Sequence, residues 1–524
     1  MKKSVNKQKS HSSHNADKTK REQKKGAFDK FRPKDPWRDK PVDGSPRPAG
    51  KRTRKTADDD FRTGNSGKAR PARDSFRSGI RKNSGPASDD FRGERKWHKT
   101  VVKSYHAEDK RKIGPQRDGD HSEAQNRTPF RALVCNEARV PYPNEGRGMS
   151  AEPLVHLTYE NELSAKHRAF KRFLALNHMK LPVSDIFPSP LPRGYRTTTK
   201  RKVLSDKGSV FLVADAGKTP VYDSALEPET HRSIYRAAGK LLNERENSFL
   251  VKKINFVILR SDGNDVTLIW NLDELSGDIV RAANGIAEKI REENPRLTSA
   301  FIFFDPKRSK YYFENEHVES APFRIKRLFG KKNLSLIIDD IRYTFSPTSF
   351  SQVNTGIAAK IIGFLKDEFS SGAERLVDLY CGYGLFSCAL GSRFKEVIGA
   401  DFSRDSIDDA IRNVQHVKNF PKARFLSRRI DEMSIESILP KAFATEFVIL
   451  DPPRQGTEPG VIEALCDRKV LKVAHIFCGV DSLPDELLRW NRGGYRVEKV
   501  VPFDMFPGTP SIEVVVILVP GKIS

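Results

Sequence analysis

From residue 346 to residue 524 the chain alternates strand-like and helix-like segments. Seven segments predict strands, namely Leu376–Tyr380, Glu396–Asp401, Ala423–Arg428, Phe447–Asp451, Val473–Cys478, Arg496–Phe503 and Ile512–Val519. Strand–helix alternation favours a mostly parallel, doubly wound sheet. Only residues 504–511 separate the last two strands, too few for a crossover helix, so these strands should pair antiparallel. We therefore predict an α/β domain over residues 346–524 whose seven-stranded sheet ends in an antiparallel hairpin.

The first quarter of the chain has a different composition. Residues 1–120 contain 35 Lys and Arg against 17 Asp and Glu, a net charge of +18, and the first leucine is Leu133. So little apolar area cannot offset the entropy cost of ordering the chain, and we predict a disordered basic tail over residues 1–125. It contains a degenerate Asp-x-Phe-Arg repeat. Two interpretations stay open: an arm that attracts RNA phosphates, or a solubilising segment without a defined partner.

Residues 126–345 predict a smaller α+β domain. Helical periodicity covers Glu160 to His178 and Gly277 to Glu292. Strand candidates are Ser209–Ala214, Phe256–Leu259, Val266–Leu272, Thr298–Phe304 and Ser335–Ile338. Basic residues near aromatic ones recur at residues 195–196, 200–202 and 307–308. They indicate either contacts with RNA or an ordinary solvated face, and the sequence favours neither.

The chain has no secretory segment and no apolar run long enough to span a membrane, so we expect a cytoplasmic protein without a membrane partner. Its five cysteines show no metal-ligand spacing. Only Cys135 precedes residue 381, which excludes an upstream four-cysteine iron–sulfur cluster. We expect no metal and a monomer.

Two signals in the predicted α/β domain favour a nucleoside cofactor. The first strand runs into Asp378-Leu-Tyr-Cys-Gly-Tyr-Gly384, where glycines permit a tight turn and close approach of the backbone to a ligand. The next strand ends in Asp401, 19 residues after Gly382, and an acid there can accept both ribose hydroxyls. The alternative is an ordinary strand-to-helix turn followed by a helix-capping Asp.

The fourth predicted strand ends in Asp451-Pro-Pro-Arg-Gln-Gly456. Two prolines make this loop rigid at the sheet edge where ligands bind. Enzymes that methylate an exocyclic amine carry Asn or Asp, two prolines and then an aromatic residue at this edge. This chain has Arg454 in place of the aromatic residue, which argues against an amine as the group that accepts a methyl. A purely structural turn would not explain this run of residues at that edge.

Four motifs together resemble the RNA uridine-5 methyltransferase family, which acts on transfer and ribosomal RNA. They are Asp378–Gly384, Asp451–Gly456, Ser349–Asn354, and Phe503–Pro507 continuing to Glu513. The resemblance is continuous over about residues 335–524 and weaker over 190–330. It implies the Rossmann-like fold of S-adenosylmethionine-dependent methyltransferases, S-adenosylmethionine as cofactor, and structured RNA as partner.

The family's chemistry needs a cysteine that adds to C6 of uracil and a base that later removes the C5 proton. The resemblance places the nucleophile at Cys478 and the base at Glu513. Its cofactor contacts carry over to Gln352, Tyr380, Leu385, Asp401 and Asp451. The chain departs from the usual pattern around both reacting groups: Phe477 replaces a frequent Ser, Gly479-Val480 replaces Asn-Pro, and the His often found before the base is absent.

Alternatives remain open at this point. A cysteine at a strand end is often a buried small apolar residue, and Cys381 is the nearest rival nucleophile. The chain could also be a catalytically silent RNA-binding factor or an RNA cytosine-5 methyltransferase. If it methylates uridine, the base must leave its stack, by flipping or because it lies in a loop.

Overall fold

A computed structural model describes residues 128–142, 152–214, 222–308, 325–369, 373–439, 441 and 445–521. The predicted tail, residues 1–125, lies outside this part of the chain. The helices are α1 (Phe130–Glu137), α2 (Tyr159–Leu176), α3 (Glu229–Leu242), α4 (Ser248–Val251), α5 (Gly277–Glu293), α6 (Thr355–Glu368), α7 (Leu385–Leu390), α8 (Arg404–Val414), α9 (Ile435–Ile438), α10 (Val461–Asp467) and α11 (Leu483–Arg492). The strands are β1 (Thr198–Asp206), β2 (Ser209–Val213), β3 (Ile254–Ser261), β4 (Val266–Leu272), β5 (Leu297–Phe304), β6 (Ile325–Phe329), β7 (Leu334–Ile338), β8 (Ile341–Phe345), β9 (Arg375–Leu379), β10 (Glu396–Asp401), β11 (Lys422–Ser427), β12 (Glu446–Leu450), β13 (Lys472–Phe477), β14 (Tyr495–Phe503) and β15 (Glu513–Pro520).

The C-terminal sheet has seven strands in the order β11-β10-β9-β12-β13-β15-β14. Strands β9 to β13 are mutually parallel, and β15 is antiparallel to both of its neighbours. This confirms the predicted fold class, including the final hairpin. After β9 the chain builds β10 and β11 on one side and then β12 on the other. The reversal opens a crevice at the carboxyl ends of β9 and β12, where doubly wound sheets bind ligands.

A second sheet, of six strands, has the order β2-β1-β3-β4-β5-β6. It is antiparallel except between β4 and β5, which α5 connects. Helices α3 and α5 cover one face, and their apolar residues share a core with Trp270 and other sheet residues. The predicted mixture of helices and strands is therefore present, but the sequence reasoning missed β1 and β6. The β1 residues Thr-Thr-Lys-Arg-Lys-Val-Leu-Ser-Asp include few apolar ones, so they give no clear strand pattern. Arg201 takes an inward-facing position in this strand, where Glu227 neutralises it, with Nη2 and Oε2 2.5 Å apart.

Helices α1 and α2 precede the six-stranded sheet in the chain, yet they pack in the core of the seven-stranded one. Phe130 of α1 and Phe170 and Phe173 of α2 form edge-to-face ring pairs with centroids about 6 Å apart. The same apolar cluster includes Val448 of β12 and Trp490 of α11. Thr158 caps α2 by accepting a hydrogen bond from the backbone N–H of Asn161. No described helix is long and apolar enough to cross a membrane.

Candidate active site

The turn after β9, residues 380–384, is here called the cofactor turn. Tyr380, Gly382 and Gly384 all have positive φ, at 65°, 53° and 82°. The carboxylate of Asp401 at the end of β10 accepts the backbone N–H of Gly382 at 3.0 Å and that of Ser403 at 2.8 Å. Burial raises the pKa of Asp401, whereas these two hydrogen bonds favour its ionised form. Because each oxygen accepts only one of them, lone pairs remain for ribose hydroxyls.

One narrow pocket at the carboxyl edge of the seven-stranded sheet brings together four of the predicted site residues. Gln352, Leu385, Asp451 and Glu513 line it, together with Ala358, Ile361, Phe386, Ile476 and Met505. The last five residues were not predicted, because their apolar side chains carry no chemical signal in the sequence. Tyr380 and Asp401 lie on the neighbouring cofactor turn and strand end.

The loop that carries Gln352 is held by the six-stranded sheet. The hydroxyl of Thr197 donates to the carbonyl of Gln352 at 3.0 Å. The buried Arg260 of β3 donates to the Ser351 hydroxyl and the Pro347 carbonyl, both at 2.7 Å. The position of Gln352 in the pocket thus depends on residues 90 or more positions earlier in the chain.

Cys478 directly follows β13 and is half-buried, whereas the other four cysteines are buried. Its Sγ lies 3.8 Å from the carbonyl oxygen of Pro452. Burial, together with the carboxylates of Glu513 and Asp451, raises the pKa of the thiol to about 12, and Arg454 only partly opposes this. In the protein alone the sulfur is therefore a protonated thiol.

This thiol pKa predicts a pH profile for alkylation. The rate at which iodoacetamide modifies Cys478 is expected to rise about tenfold per pH unit between pH 7 and 9.5, because only the thiolate reacts. Glu513→Gln should raise the rate at every pH, since it removes a negative charge that disfavours the thiolate. Mass spectrometry of the tryptic peptide 473–489 would follow the reaction. A plateau below pH 9 would contradict the raised thiol pKa.

Glu513 begins β15, and the pairing of β13 with β15 brings it to Cys478. Phe477 is the partner of Val514 in this antiparallel ladder, so Cys478 and Glu513 occupy the next position of the same register. Partners in such a ladder have Cα atoms about 4.5–5.5 Å apart. Burial raises the pKa of Glu513 to about 7, and burial together with Glu513 raises that of Asp451 well above its usual range. Two acidic groups thus face one pocket, and the strand register places the Cys478 thiol next to one of them.

The loop after β12, residues 451–457, is here called the proline loop, and it lies directly against the end of β13. A Cβ atom on Gly479 would lie 2.2 Å from the carbonyl oxygen of Arg454. Gly479 has φ of −118°, so space, not backbone conformation, requires a glycine here. This explains one departure from the family pattern: no larger residue fits after Cys478 while the proline loop lies so close.

The sequence profile of the tRNA (uracil-5-)-methyltransferase family matches residues 158–520. The chain belongs to this family. Membership confirms the predicted enzyme class, methylation of uracil C5 in RNA, and S-adenosylmethionine as the cofactor. The described cofactor turn, Asp401 and the adjoining pocket fit that cofactor, because they combine a close backbone approach with free carboxylate lone pairs. Among the described residues, no group of three or more His, Cys, Asp or Glu side chains could hold a metal ion.

Similar proteins cover most of the chain. An uncharacterized RNA methyltransferase from Bacillus cereus is 26% identical over 412 residues, which span 73% of this chain and 83% of that protein. The tRNA (uracil(54)-C(5))-methyltransferase from Pyrococcus abyssi is 26% identical over 377 residues, or 70% of this chain and 82% of the relative. The crystal structure of the P. abyssi tRNA (uracil-54, C5)-methyltransferase with S-adenosyl-L-homocysteine has a TM-score of 0.51 at 23% identity, covering 71% of this chain and 88% of that one. At this identity the structural likeness shows the fold.

Proposed function

We propose that the enzyme methylates C5 of a uridine in structured RNA by covalent catalysis, with Cys478 as nucleophile and Glu513 as base. The observation that carries this proposal is their opposite position in the β13–β15 register, with Glu513 lining the pocket. Cys381, the rival nucleophile, is buried in the cofactor turn, and burial raises the pKa of its thiol far above its usual value. Cys478 is the better candidate because its sulfur is partly exposed beside a carboxylate.

The proposed reaction passes through a covalent adduct between Cys478 and the uracil ring. Cys478 first loses its thiol proton to solvent; its thiolate then forms a bond to C6 of uracil, and the C5–C6 electron pair moves into an enolate that ends at O4. Bound S-adenosylmethionine supplies an electrophilic methyl group. C5 bonds to this methyl group as the methyl–sulfur bond of the cofactor breaks, which leaves S-adenosylhomocysteine, and Glu513 then takes the proton from C5. The electrons of the C5–H bond restore the C5–C6 double bond as the C6–S bond breaks, which returns the thiolate.

We assign the cofactor contacts to five residues with different roles. Asp401 accepts the ribose hydroxyls, and Tyr380 lies beside it on the cofactor turn. Gln352 and Asp451 offer polar groups in the pocket. Leu385 contributes apolar surface, and its carbonyl is already engaged by the hydroxyl of Tyr343 at 3.1 Å.

We further propose transfer RNA as the first substrate to test, because the family's description and the name of the P. abyssi relative both specify it. Ribosomal RNA remains the alternative. We assign the RNA contacts to the domain over residues 126–345, where Lys200 and Lys202 lie 4.8 Å from the centre of the Phe256 ring. The methyltransferase domain then covers residues 346–524. The free thiols fit the reducing cytoplasm, where we place the reaction of a monomer.

Labelled S-adenosylmethionine and RNA that lacks the modification would test this function. We expect labelled 5-methyluridine on nucleoside mass spectrometry, loss of the label with Cys478→Ala, and retention of it with Cys381→Ala. Formation of 5-methylcytidine would instead support the cytosine-5 alternative. RNA binding without transfer of methyl groups would support a silent binding factor.

A further inference from the structure

A buried polar chain lies behind the proline loop, outside the pocket. It joins Trp490 and Glu486 of α11, His475 of β13 and Thr457 of the proline loop. His475 is three residues before Cys478, and its side chain is completely buried. None of these four residues lines the candidate active-site pocket.

The direction of the hydrogen bond between Trp490 and His475 follows from the chemistry of the indole ring of Trp490. Nε1 of Trp490 lies 3.1 Å from Nδ1 of His475, and an indole N–H can only donate. Nδ1 therefore accepts, and the neutral imidazole carries its proton on Nε2. That nitrogen lies 3.0 Å from Oε2 of Glu486. The two atoms are close enough for an electrostatic contact, but the ring N–H is not aligned with Oε2 for a hydrogen bond.

The other oxygen of Glu486 holds the proline loop. Oε1 accepts the backbone N–H of Thr457 at 2.5 Å and its hydroxyl at 2.8 Å. A Cβ atom on Gly456 would lie 2.3 Å from the same oxygen, and Gly456 has a φ of +91°, so both space and conformation require glycine there. Burial opposes ionisation of Glu486, but the contacts with His475 and Thr457 outweigh it and lower its pKa.

We infer that Glu486 and Thr457 are positioning residues that fix the proline loop against Cys478. The loop is held at two points, by Glu486 at Thr457 and by close contact between Gly479 and Arg454. Just ahead of these points in the chain, the loop presents Asp451 to the pocket and the Pro452 carbonyl to the sulfur. A loop that shifts by about 1 Å would misplace these groups, and errors of that size slow catalysis about 100-fold at the upper end.

The test rests on the proposed function and uses trapping by RNA that contains 5-fluorouridine, under single turnover with saturating RNA and S-adenosylmethionine. Thr457→Val removes the hydroxyl but keeps the shape and the backbone N–H, and Thr457→Ser keeps the hydroxyl. Asp485→Asn, on the exposed side of α11 beside Glu486, is the matched control. The amplitude of trapping measures the active fraction, and the rate constant measures the geometry of the site.

We expect Thr457→Val and Glu486→Gln to lower the rate constant about tenfold at nearly unchanged amplitude. Thr457→Ser and Asp485→Asn should stay within twofold of the unaltered protein. A purely structural role would lower only the amplitude of trapping or the melting temperature. If the rate constant stayed unchanged in both Thr457→Val and Glu486→Gln, the inference would be overturned. Failure of the unaltered protein to trap RNA, or trapping by Cys478→Ala, would instead contradict the proposed function.

Discussion

Glu513→Gln is expected to lower turnover about 1,000-fold while the enzyme still attacks its RNA. Glutamine has nearly the same shape, but it cannot take the C5 proton, so the C6–S bond cannot break after methyl transfer. Ordinary uridine RNA should then remain bound to the protein through Cys478. A band of protein–RNA adduct on a denaturing gel, dependent on S-adenosylmethionine, would measure this.

The matched control for that adduct is the double variant Cys478→Ala with Glu513→Gln, which should give no adduct. If Glu513→Gln turned over at close to the original rate, another group would have to be the base. If it bound RNA without forming an adduct, the proposed order of the steps would be wrong.

Lys166→Met is expected to destabilise the protein by about 3–5 kcal/mol. Lys166 is completely buried in α2, with Nζ 2.8 Å from Glu162, 2.7 Å from Asp504 and 3.2 Å from the Phe506 carbonyl. Methionine would leave two buried carboxylates without this cation. Glu162 would keep Arg193 at 3.0 Å and the Gly508 N–H. Asp504 would keep the neutral Tyr159 hydroxyl at 2.9 Å. Urea denaturation followed by fluorescence would give the change in the free energy of unfolding.

The same helix offers a control for the lysine substitution. Lys171 is exposed on α2, so Lys171→Met should change the free energy of unfolding by less than about 0.5 kcal/mol. A loss below 1 kcal/mol for Lys166→Met would show that the buried network does not hold the loop that leads to Glu513. If the network does hold this loop, Lys166→Met should also lower activity at low temperature, because the loop supplies Met505 to the pocket.

The seven-stranded sheet was predictable because its signals are local. Each buried parallel strand is a short apolar run, and the nine-residue link before β15 permits only a hairpin. Strand ends were predicted to within about one or two residues, as for β9, which spans Arg375–Leu379 and not Leu376–Tyr380. The pairing of Cys478 with Glu513 was not available from these signals. It depends on the register of β13 with β15. A shift of this register by two residues keeps the same side chains on each face, so apolar patterning does not decide between such registers.

Buried polar residues were the features that sequence patterns concealed. Lys166 and Glu162 are four apart on a helix and resemble a surface ion pair, but both are completely buried because Asp504 and Arg193 reach them from elsewhere in the chain. His475 lies in a strand of apolar residues and has no local partner. Only tertiary contacts neutralise such groups, so neither network could be inferred before the fold was known.

Peptide mapping of the trapped complex tests the assignment of the nucleophile most directly. The enzyme would be incubated with S-adenosylmethionine and RNA containing 5-fluorouridine, in which C5 has no proton to lose, and then digested with trypsin and nuclease. The nucleotide should be found on peptide 473–489, at Cys478, and Cys478→Ala should give no adduct. A nucleotide on peptide 376–393, which contains Cys381 and Cys388, or an adduct that persists in Cys478→Ala, would contradict the account.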